Sequence, residues 1–195
     1  MKTYRVNDMF YSLQGEGHNT GRAAVFVRFA GCNLHCSFCD TDFTVFDEMT
    51  GDEIVKKAAL LRGPSTDQVR VLAVMTGGEP TLQVDESLVD MFHEAGFEVA
   101  MESNGTMPGP SNLDWLTISP KKNVVVNSCD EVKYVFDGKG EVSDFGIKAK
   151  YYYLQPCDLG DSLANGQIIG QCVEYIKSHP RWRLSLQTHK LVGFK

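Results

Sequence analysis

Residues 69–80 read VRVLAVMTGGEP, an apolar run that ends in a polar, glycine-rich turn. A short, continuous run of β-branched and aliphatic residues is typical of a strand buried in a parallel sheet. The paired glycines directly after it let the backbone approach a ligand closely, and an ordinary turn between a strand and a helix is the alternative. The stretch therefore predicts a buried strand whose carboxyl end carries either a binding loop or a plain connection.

The same pattern of strand and loop recurs along the chain. Six further apolar runs predict strands at residues 23–30, 97–101, 115–118, 132–136, 151–154 and 182–186. A capping box of Thr50 and Glu53 predicts one helix, and apolar residues at helical spacing after Val84 and after Ile168 predict two more. Strands that alternate with helices, without a linker or a repeat, predict one α/β domain over residues 1–195.

Polar and reactive residues come directly after several of these strands. They are the cysteine-rich segment 32–39 and the short segments ESNGT (102–106), SPK (119–121), QP (155–156) and QTHK (187–190). The carboxyl ends of parallel strands meet at one edge of a sheet, where α/β enzymes build their sites. We therefore expect these segments, together with TGGEP (76–80), to form one active-site mouth.

Three cysteines, Cys32, Cys36 and Cys39, have the spacing C-x3-C-x2-C. Soft thiolates on a short loop suit an iron–sulfur cluster, and three ligands on a four-iron cluster leave one iron open to an exogenous ligand. A zinc site completed by His35 or by a further cysteine is the alternative. A disulfide fits least, because the start of the chain does not resemble a secretory signal and we expect the reducing cytoplasm.

Composition excludes some classes of function. The chain has 195 residues, of which 43% are hydrophobic, and 19 basic against 25 acidic residues give a net charge of −6. Such a charge does not attract a polyanion, so we expect no nucleic-acid partner. No apolar run approaches the roughly 20 residues of a membrane span, so we expect no membrane partner either. Residues 177–195 carry five basic and no acidic residues, which is compatible with a small anionic ligand or with a solvated basic end.

Several motifs together resemble a known family. The cysteine spacing, with the aromatic Phe38 before the last cysteine, and TGGEP (76–80) are similar to the radical S-adenosylmethionine (SAM) superfamily. More narrowly, the chain resembles the 7-carboxy-7-deazaguanine synthase family. The segments that carry this resemblance are YSLQGEG (11–17), FVRFAGCNL (26–34), CDT (39–41), SPK (119–121) and LSLQTHK (184–190). The resemblance extends over about residues 11–195, nearly the whole chain.

The resemblance implies a fold and a reaction. The fold is a shortened, partial (β/α) barrel with mostly parallel strands. The family binds SAM at the open iron of a 4Fe–4S cluster and splits it into methionine and a 5′-deoxyadenosyl radical. The radical takes a hydrogen from C6 of 6-carboxy-5,6,7,8-tetrahydropterin, and ring contraction with loss of ammonia gives 7-carboxy-7-deazaguanine. A homodimer, and flavodoxin or ferredoxin as the electron donor, are also implied.

The resemblance also assigns roles to residues of this chain. The cluster ligands are Cys32, Cys36 and Cys39. The residues matched to SAM binding are Phe38, Cys39, Asp40, Gly78, Glu102, Ser119, Pro120, Lys121, Gln155, Pro156, Cys157 and Asp158. Those matched to substrate binding are Leu13, Gln14, Gly15, Glu16, Arg28, Thr76, His189 and Lys195. Thr41 is the implied ligand of Mg²⁺, and Asp40 holds a neighbouring water or the adenosyl group.

Alternatives remain for individual residues. Arg28, in a strand predicted to be buried, needs a carboxylate partner, which is either the substrate or Glu16. Gln14 and Glu16 also fit a polar turn, and a single histidine such as His189 is often structural. Family members often end in Ile-Pro, whereas this sequence ends in Gly-Phe-Lys, which leaves the contact of Lys195 open.

Two rival functions are compatible with part of the pattern. A glycyl-radical-activating enzyme uses the same cluster but acts on a polypeptide, and it does not explain QGEG (14–17) or QTHK (187–190). A non-catalytic zinc or electron-transfer module does not need the GGEP turn.

Overall fold

The computed structural model describes residues 2–36, 44–64 and 69–195. The strands in these ranges are Thr3–Leu13 (β1), Ala23–Phe29 (β2), Asp47–Thr50 (β3), Val71–Gly77 (β4), Phe97–Ser103 (β5), Trp115–Ile118 (β6), Ser128–Phe136 (β7), Lys148–Pro156 (β8) and Trp182–Leu184 (β9). The helices are Gly51–Arg62 (α1), Glu86–Glu94 (α2), Ser162–Ser178 (α3) and Thr188–Val192 (α4).

All of these strands form one sheet in the order β3-β1-β2-β4-β5-β6-β7-β8-β9. Every neighbouring pair from β2 to β9 is parallel, and β1 is antiparallel to both β2 and β3. The prediction of an α/β partial barrel with mostly parallel strands is confirmed. No helix in the described part of the chain has the length and apolar character that a membrane crossing requires.

The helices begin and end at residues with clear local causes. Thr50 and Glu53 form the predicted capping box at the start of α1. Asp85 caps α2, and Gly96 follows that helix with φ at +81°, a backbone conformation that glycine adopts without strain. Asp161 caps α3 in the same way as Asp85 caps α2.

Two groups of buried side chains hold the helices on the sheet. The larger one joins α1 and α2 to β1, β2, β4 and β5, with Phe29, Leu88 and Phe97 fully buried. The smaller one joins α3 to β7, β8 and β9 around Leu154 and Cys172. Burial of apolar side chains of this size stabilises the folded state by about 1.5–3 kcal/mol each.

The structure differs from the sequence-based prediction at four places. Helix α4 was not predicted. Strands β1 and β3 were not predicted, although β1 is 11 residues long. Helix α3 was expected to bury Ile169 and Val173, but both are more than one third exposed while Ile168 and Cys172 face the core. Helix α3 therefore buries a narrower stripe than its apolar spacing suggests.

Candidate active site

A cavity of about 320 Å³ opens at the carboxyl ends of the parallel strands. This volume is at the lower end of the range for small-molecule sites. The cavity brings together most of the residues that the sequence singled out, namely Leu13, Gln14, Gly15, Glu16, Arg28, Cys32, Cys36, Thr76, Gly78, Glu102, Ser119, Lys121, Gln155, Pro156, Cys157, Asp158, His189 and Lys195. Residues that are up to 182 positions apart in the sequence thus line the same cavity.

One of the predicted residues that the structure describes does not line it. Pro120 is buried directly after Ser119 and is not part of the lining. Phe38, Cys39, Asp40 and Thr41 lie outside the described residues.

The turn after β4 is packed directly against the cysteine-rich loop. Gly78 N–H donates to the Phe29 carbonyl oxygen at 2.9 Å, and Glu79 N–H donates to the Gly31 carbonyl oxygen at 2.8 Å. A Cβ atom on Gly78 would overlap with the Gly31 carbonyl oxygen, so the two backbones approach more closely than any residue except glycine allows. The turn therefore fixes the backbone that enters the loop with Cys32.

Glu79 has a structural function within this turn. Its carboxylate is almost fully buried and accepts hydrogen bonds from the N–H and the hydroxyl of Thr81, from the hydroxyl of Ser103 and from the N–H of Asn104. Four donors satisfy a buried carboxylate without a cation. Glu79 therefore joins the loops after β4 and β5 at the rim of the cavity.

The thiols of Cys32 and Cys36 line one side of the cavity, and neither forms a disulfide with another described residue. Cys32 Sγ accepts a hydrogen bond from Leu34 N–H at 3.4 Å, an interaction that stabilises negative charge on sulfur. Lys121 lies next to them, and burial lowers the pKa of its ammonium while Cys36 opposes that shift.

A hydrogen-bonded network forms the wall opposite these thiols. Lys133 Nζ lies 2.5 Å from Glu16 Oε2 and 3.5 Å from Glu102 Oε1. Gln14 Nε2 donates to Glu102 Oε1 at 2.9 Å, and Gln187 Nε2 donates to Glu16 Oε1 at 2.9 Å. Two carboxylates, two amides and one ammonium thus face each other at the cavity wall.

Burial and charge act on this network in opposite directions. Burial favours the neutral acid at Glu16, but the Lys133 ammonium and hydrogen bonds from Lys133, Gln187 and Gln155 outweigh it and lower the pKa of Glu16 to about 2. The pKa of Lys133 is raised above its ordinary value despite burial, because the Glu102, Glu16 and Glu131 carboxylates surround it. The cation and Glu16 therefore both stay charged in the neutral pH range.

Glu131 lies on the same strand as Lys133, two residues earlier, and is not part of the cavity lining. Its carboxylate accepts a hydrogen bond from His18 N–H at 3.0 Å. Burial raises the pKa of Glu131 to about 7, and Lys133 and the His18 N–H oppose that shift only in part.

Arg28 lies beside aromatic rings at the end of β2. Its guanidinium is 5.5 Å from the centroid of the Phe10 ring, and Phe10 stacks on Phe26 with 4.9 Å between centroids. Among the described residues, none supplies a carboxylate within ion-pair distance of Arg28. The alternative of an internal pair with Glu16 is wrong, since Glu16 binds Lys133 instead.

The segment 187–195 closes the cavity next to β1. Thr188 donates to the Gly15 carbonyl oxygen from both its N–H and its hydroxyl, at 3.0 and 2.8 Å. The Ser12 hydroxyl donates to the main-chain oxygen of Lys195 at 2.6 Å. Lys195 Nζ lies 2.9 Å from Asp8 Oδ2 and 4.4 Å from the Phe10 ring centroid. The side chain of Lys195 therefore contacts the same Phe10 ring as Arg28.

Sequence reasoning missed several residues that line the cavity. Lys133, Phe10, Phe26 and Lys190 were given no function, and Lys190 Nζ lies 2.8 Å from Asp158 Oδ2. This contact, more than any other, lowers the pKa of Asp158. The available signal was Lys133 inside the predicted apolar strand 132–136, with polar Glu131 directly before that strand, because period-two alternation places both residues on one face.

Comparisons with known proteins were made against this geometry. The model of the radical SAM superfamily matches residues 26–125. A 7-carboxy-7-deazaguanine synthase from Bacteroides thetaiotaomicron is 44% identical over 98% of each chain. One from Nitratidesulfovibrio vulgaris is 42% identical over 98% of this chain and 99% of its own. The crystal structure of QueE from Escherichia coli shares the fold, with a TM-score of 0.71, 24% identity and coverage of 94% of this chain and 93% of that chain.

Both relatives match over nearly their full length at well above 30% identity. The chain therefore belongs to the radical SAM superfamily and, within it, to the family of 7-carboxy-7-deazaguanine synthases.

Proposed function

We propose that this protein is a 7-carboxy-7-deazaguanine synthase. It converts 6-carboxy-5,6,7,8-tetrahydropterin to 7-carboxy-7-deazaguanine by hydrogen abstraction at C6, ring contraction and loss of ammonia, in the biosynthesis of 7-deazapurines such as queuosine. The observation that carries this proposal is one cavity that combines the thiols of Cys32 and Cys36 with a charged, amide-rich wall.

The thiol side of the cavity fits the cofactors of the superfamily. A 4Fe–4S cluster and SAM supply the radical when they are bound. Cys32 and Cys36 are soft donors on one loop, and Cys39 is proposed as the third ligand. Gly78 lines the same cavity and, with its N–H bound to the Phe29 carbonyl oxygen, is proposed to meet the amino acid part of SAM through the rest of its backbone. Ser119, Lys121 and the segment 155–158 also line this cavity.

The opposite wall fits a carboxylated pterin. The 2-amino-4-oxo edge of a pterin carries adjacent N–H donors and a carbonyl acceptor, which carboxylate and amide groups such as Glu16 and Gln14 recognise. Arg28, which lacks an internal carboxylate partner among the described residues, is proposed to bind the substrate carboxylate. Thr76 and His189 line the same cavity and are proposed to orient the ring.

Metal and protein partners are proposed on the family resemblance. We assign Mg²⁺ to Thr41, with Asp40 holding a neighbouring water, since hard oxygen ligands suit this ion. Flavodoxin or ferredoxin is the proposed electron donor in the cytoplasm. A homodimer is proposed too, and a monomer by light scattering at working concentration would contradict it.

We further propose that residues 1–195 form a single radical SAM domain. The cavity takes side chains from Phe10 to Lys195, so both ends of the sequence contribute to the same space.

The direct test is turnover by the reduced, anaerobically reconstituted protein with SAM and the carboxylated tetrahydropterin. We expect the deazapurine by mass spectrometry, and we expect neither it nor 5′-deoxyadenosine with Cys36→Ala. Formation of 5′-deoxyadenosine without conversion of the pterin favours a glycyl-radical-activating enzyme. An anaerobic preparation that holds zinc and no iron favours a non-catalytic module.

A further inference from the structure

Lys133 occupies a position in the cavity wall that no motif accounts for. It lies in the middle of β7, between β6 and β8, and its side chain is only 4% exposed. A lysine is almost never buried to this extent unless its charge is paired. The groups that pair with the ammonium therefore indicate the function of Lys133.

The ammonium of Lys133 connects three separate parts of the chain. Its contacts at 2.5 Å to Glu16 and 3.5 Å to Glu102 reach the loop after β1 and the end of β5. Gln187 donates to the other oxygen of Glu16, and Gln14 donates to the same Glu102 oxygen that faces Lys133. Each of these five residues lines the cavity, so the position of four polar groups depends on one cation.

We propose that Lys133 is a positioning residue for substrate recognition, whose ammonium holds the carboxylates of Glu16 and Glu102 side by side at the cavity wall. This inference rests on the proposed function, since it concerns the wall that faces the pterin. Lys133 acts through the two glutamates, which present their oxygens to the substrate.

The charges around Lys133 explain why a cation is required there. Glu16 and Glu102 approach from the loop after β1 and from β5, Glu131 lies on β7 itself, and Lys121 is the other cation whose charge acts on this group. Without Lys133, Glu16 would lose the largest influences that oppose burial and would keep mainly the hydrogen bonds from Gln187 and Gln155, so its pKa should rise. The carboxylates would then repel each other or take up a proton.

The proposal makes a specific prediction for the pH dependence of substrate binding. In the wild-type protein Glu16 is ionised over the whole neutral range, so its titration does not limit binding there. In Lys133→Met the KM for the pterin should rise as the pH falls from 8 to 6, by roughly tenfold for each unit by which the pKa of Glu16 exceeds the pH. The kcat at saturating substrate should change less than KM.

The experiment measures KM and kcat between pH 6 and 8.5 for the wild type, Lys133→Met, Lys133→Arg and the control Lys150→Met. Lys150 is also paired with a carboxylate, Asp130, but its side chain is 70% exposed and it does not line the cavity. Lys150→Met should show the wild-type dependence of KM on pH. Lys133→Arg retains the charge, so the pH below which its KM rises should stay at the wild-type value. Equilibrium dialysis of the pterin against each protein repeats the comparison without turnover.

The proposal would be overturned if folded Lys133→Met showed the wild-type dependence of KM on pH. It would also be overturned if the KM of Lys133→Arg rose with falling pH within the range of pH 6–8. Iron content and thermal unfolding report whether each variant is folded. If Lys133→Met does not fold, the pH below which the KM of Lys133→Arg rises decides the question alone. Failure of the wild type to form any deazapurine contradicts the proposed function instead, and dialysis then still reports on Lys133.

Discussion

Gly15 and His189 approach each other so closely that a Cβ atom on Gly15 would lie 2.5 Å from His189 Nδ1. Gly15 belongs to the loop after β1, and His189 is the second residue of α4. The contact occurs where Thr188 also binds the Gly15 carbonyl oxygen. Absence of a side chain at position 15 therefore sets the position of the imidazole in the cavity.

Gly15→Ala tests this relationship. We expect the alanine methyl group to displace the His189 ring and to raise the KM for the pterin roughly tenfold, the equivalent of about 1.4 kcal/mol. The overall fold should be kept, since a flexible side chain gives way before the backbone. Steady-state kinetics and circular dichroism measure both, with Gly166→Ala in α3 as the control because nothing lies within 4 Å of its Cβ position. An unchanged KM in Gly15→Ala would argue against a function of His189 at the substrate.

Gly78→Ala tests the packing of the turn on the cysteine-rich loop. The new methyl group would meet a carbonyl oxygen of the backbone, so we expect the loop to shift at a cost of about 1–3 kcal/mol in the free energy of unfolding. Iron bound per chain after anaerobic reconstitution should fall, together with stability in denaturant. Gly170→Ala should bind wild-type amounts of iron, since its Cβ position is open. Full iron loading in Gly78→Ala would show that the loop adapts.

Arg28→Met tests the proposed anion site. Loss of a charged hydrogen bond to the substrate should raise KM by roughly tenfold to a hundredfold, while stability changes little. Tetrahydropterin without the carboxylate should inhibit this variant about as well as the wild type. Arg22→Met is the matched control, because Arg22 binds both oxygens of Glu98 away from the cavity and should lower stability without raising KM. Equal KM values in Arg28→Met and the wild type would remove Arg28 from the site.

Glu131→Gln tests the buried carboxylate on β7. The folded pKa of about 7 is above the unfolded value, so Glu131 contributes stability that is present at low pH and lost as the pH rises through 7. Between pH 6 and pH 8 this loss amounts to about 1 kcal/mol in the wild type and should be absent in Glu131→Gln. Denaturant unfolding of both proteins at the two pH values measures the difference, in which other titrating groups cancel. Parallel curves for the two proteins would mean that Glu131 titrates normally.

Thr41→Ala tests the proposed magnesium ligand. Removal of the hydroxyl should weaken the response of turnover to added Mg²⁺, with KM for the metal raised roughly tenfold, while iron content stays at the wild-type value. An unchanged metal response would exclude Thr41 from the site.

The strands that carry the cavity could be predicted because they are apolar and continuous. β2, β4 and β5 contain no exposed residue, so their apolar composition identified them. β1 was missed because Arg5, Asp8 and Ser12 interrupt its pattern, and it is a strand through its pairing with β2. β3 reads Asp-Glu-Met-Thr, which has no strand signal, and it forms only by adding to the edge at β1.

The residues of the site were predicted from motifs, so residues outside the motifs were missed. Lysine is a residue type that is usually exposed to solvent, and Glu16, the partner of Lys133, is 117 positions away in the sequence. Pairing between residues this far apart depends on the topology of the sheet, which local sequence does not contain. The Gly15 contact with His189 is of the same kind, because a glycine gives no sign of which side chain requires its space.

The wall formed by segment 187–195 has a consequence for the order in which the molecule is made. Glu16 and Gln187 are 171 positions apart, and Ser12 and Lys195 are 183 positions apart. Synthesis proceeds from the amino terminus, so a nascent chain that has reached Leu184 already contains every described strand but not these contacts. Early intermediates can thus collapse around the core while they still lack a complete binding surface, and competence for catalysis should require the later docking of segment 187–195 on the loop after β1.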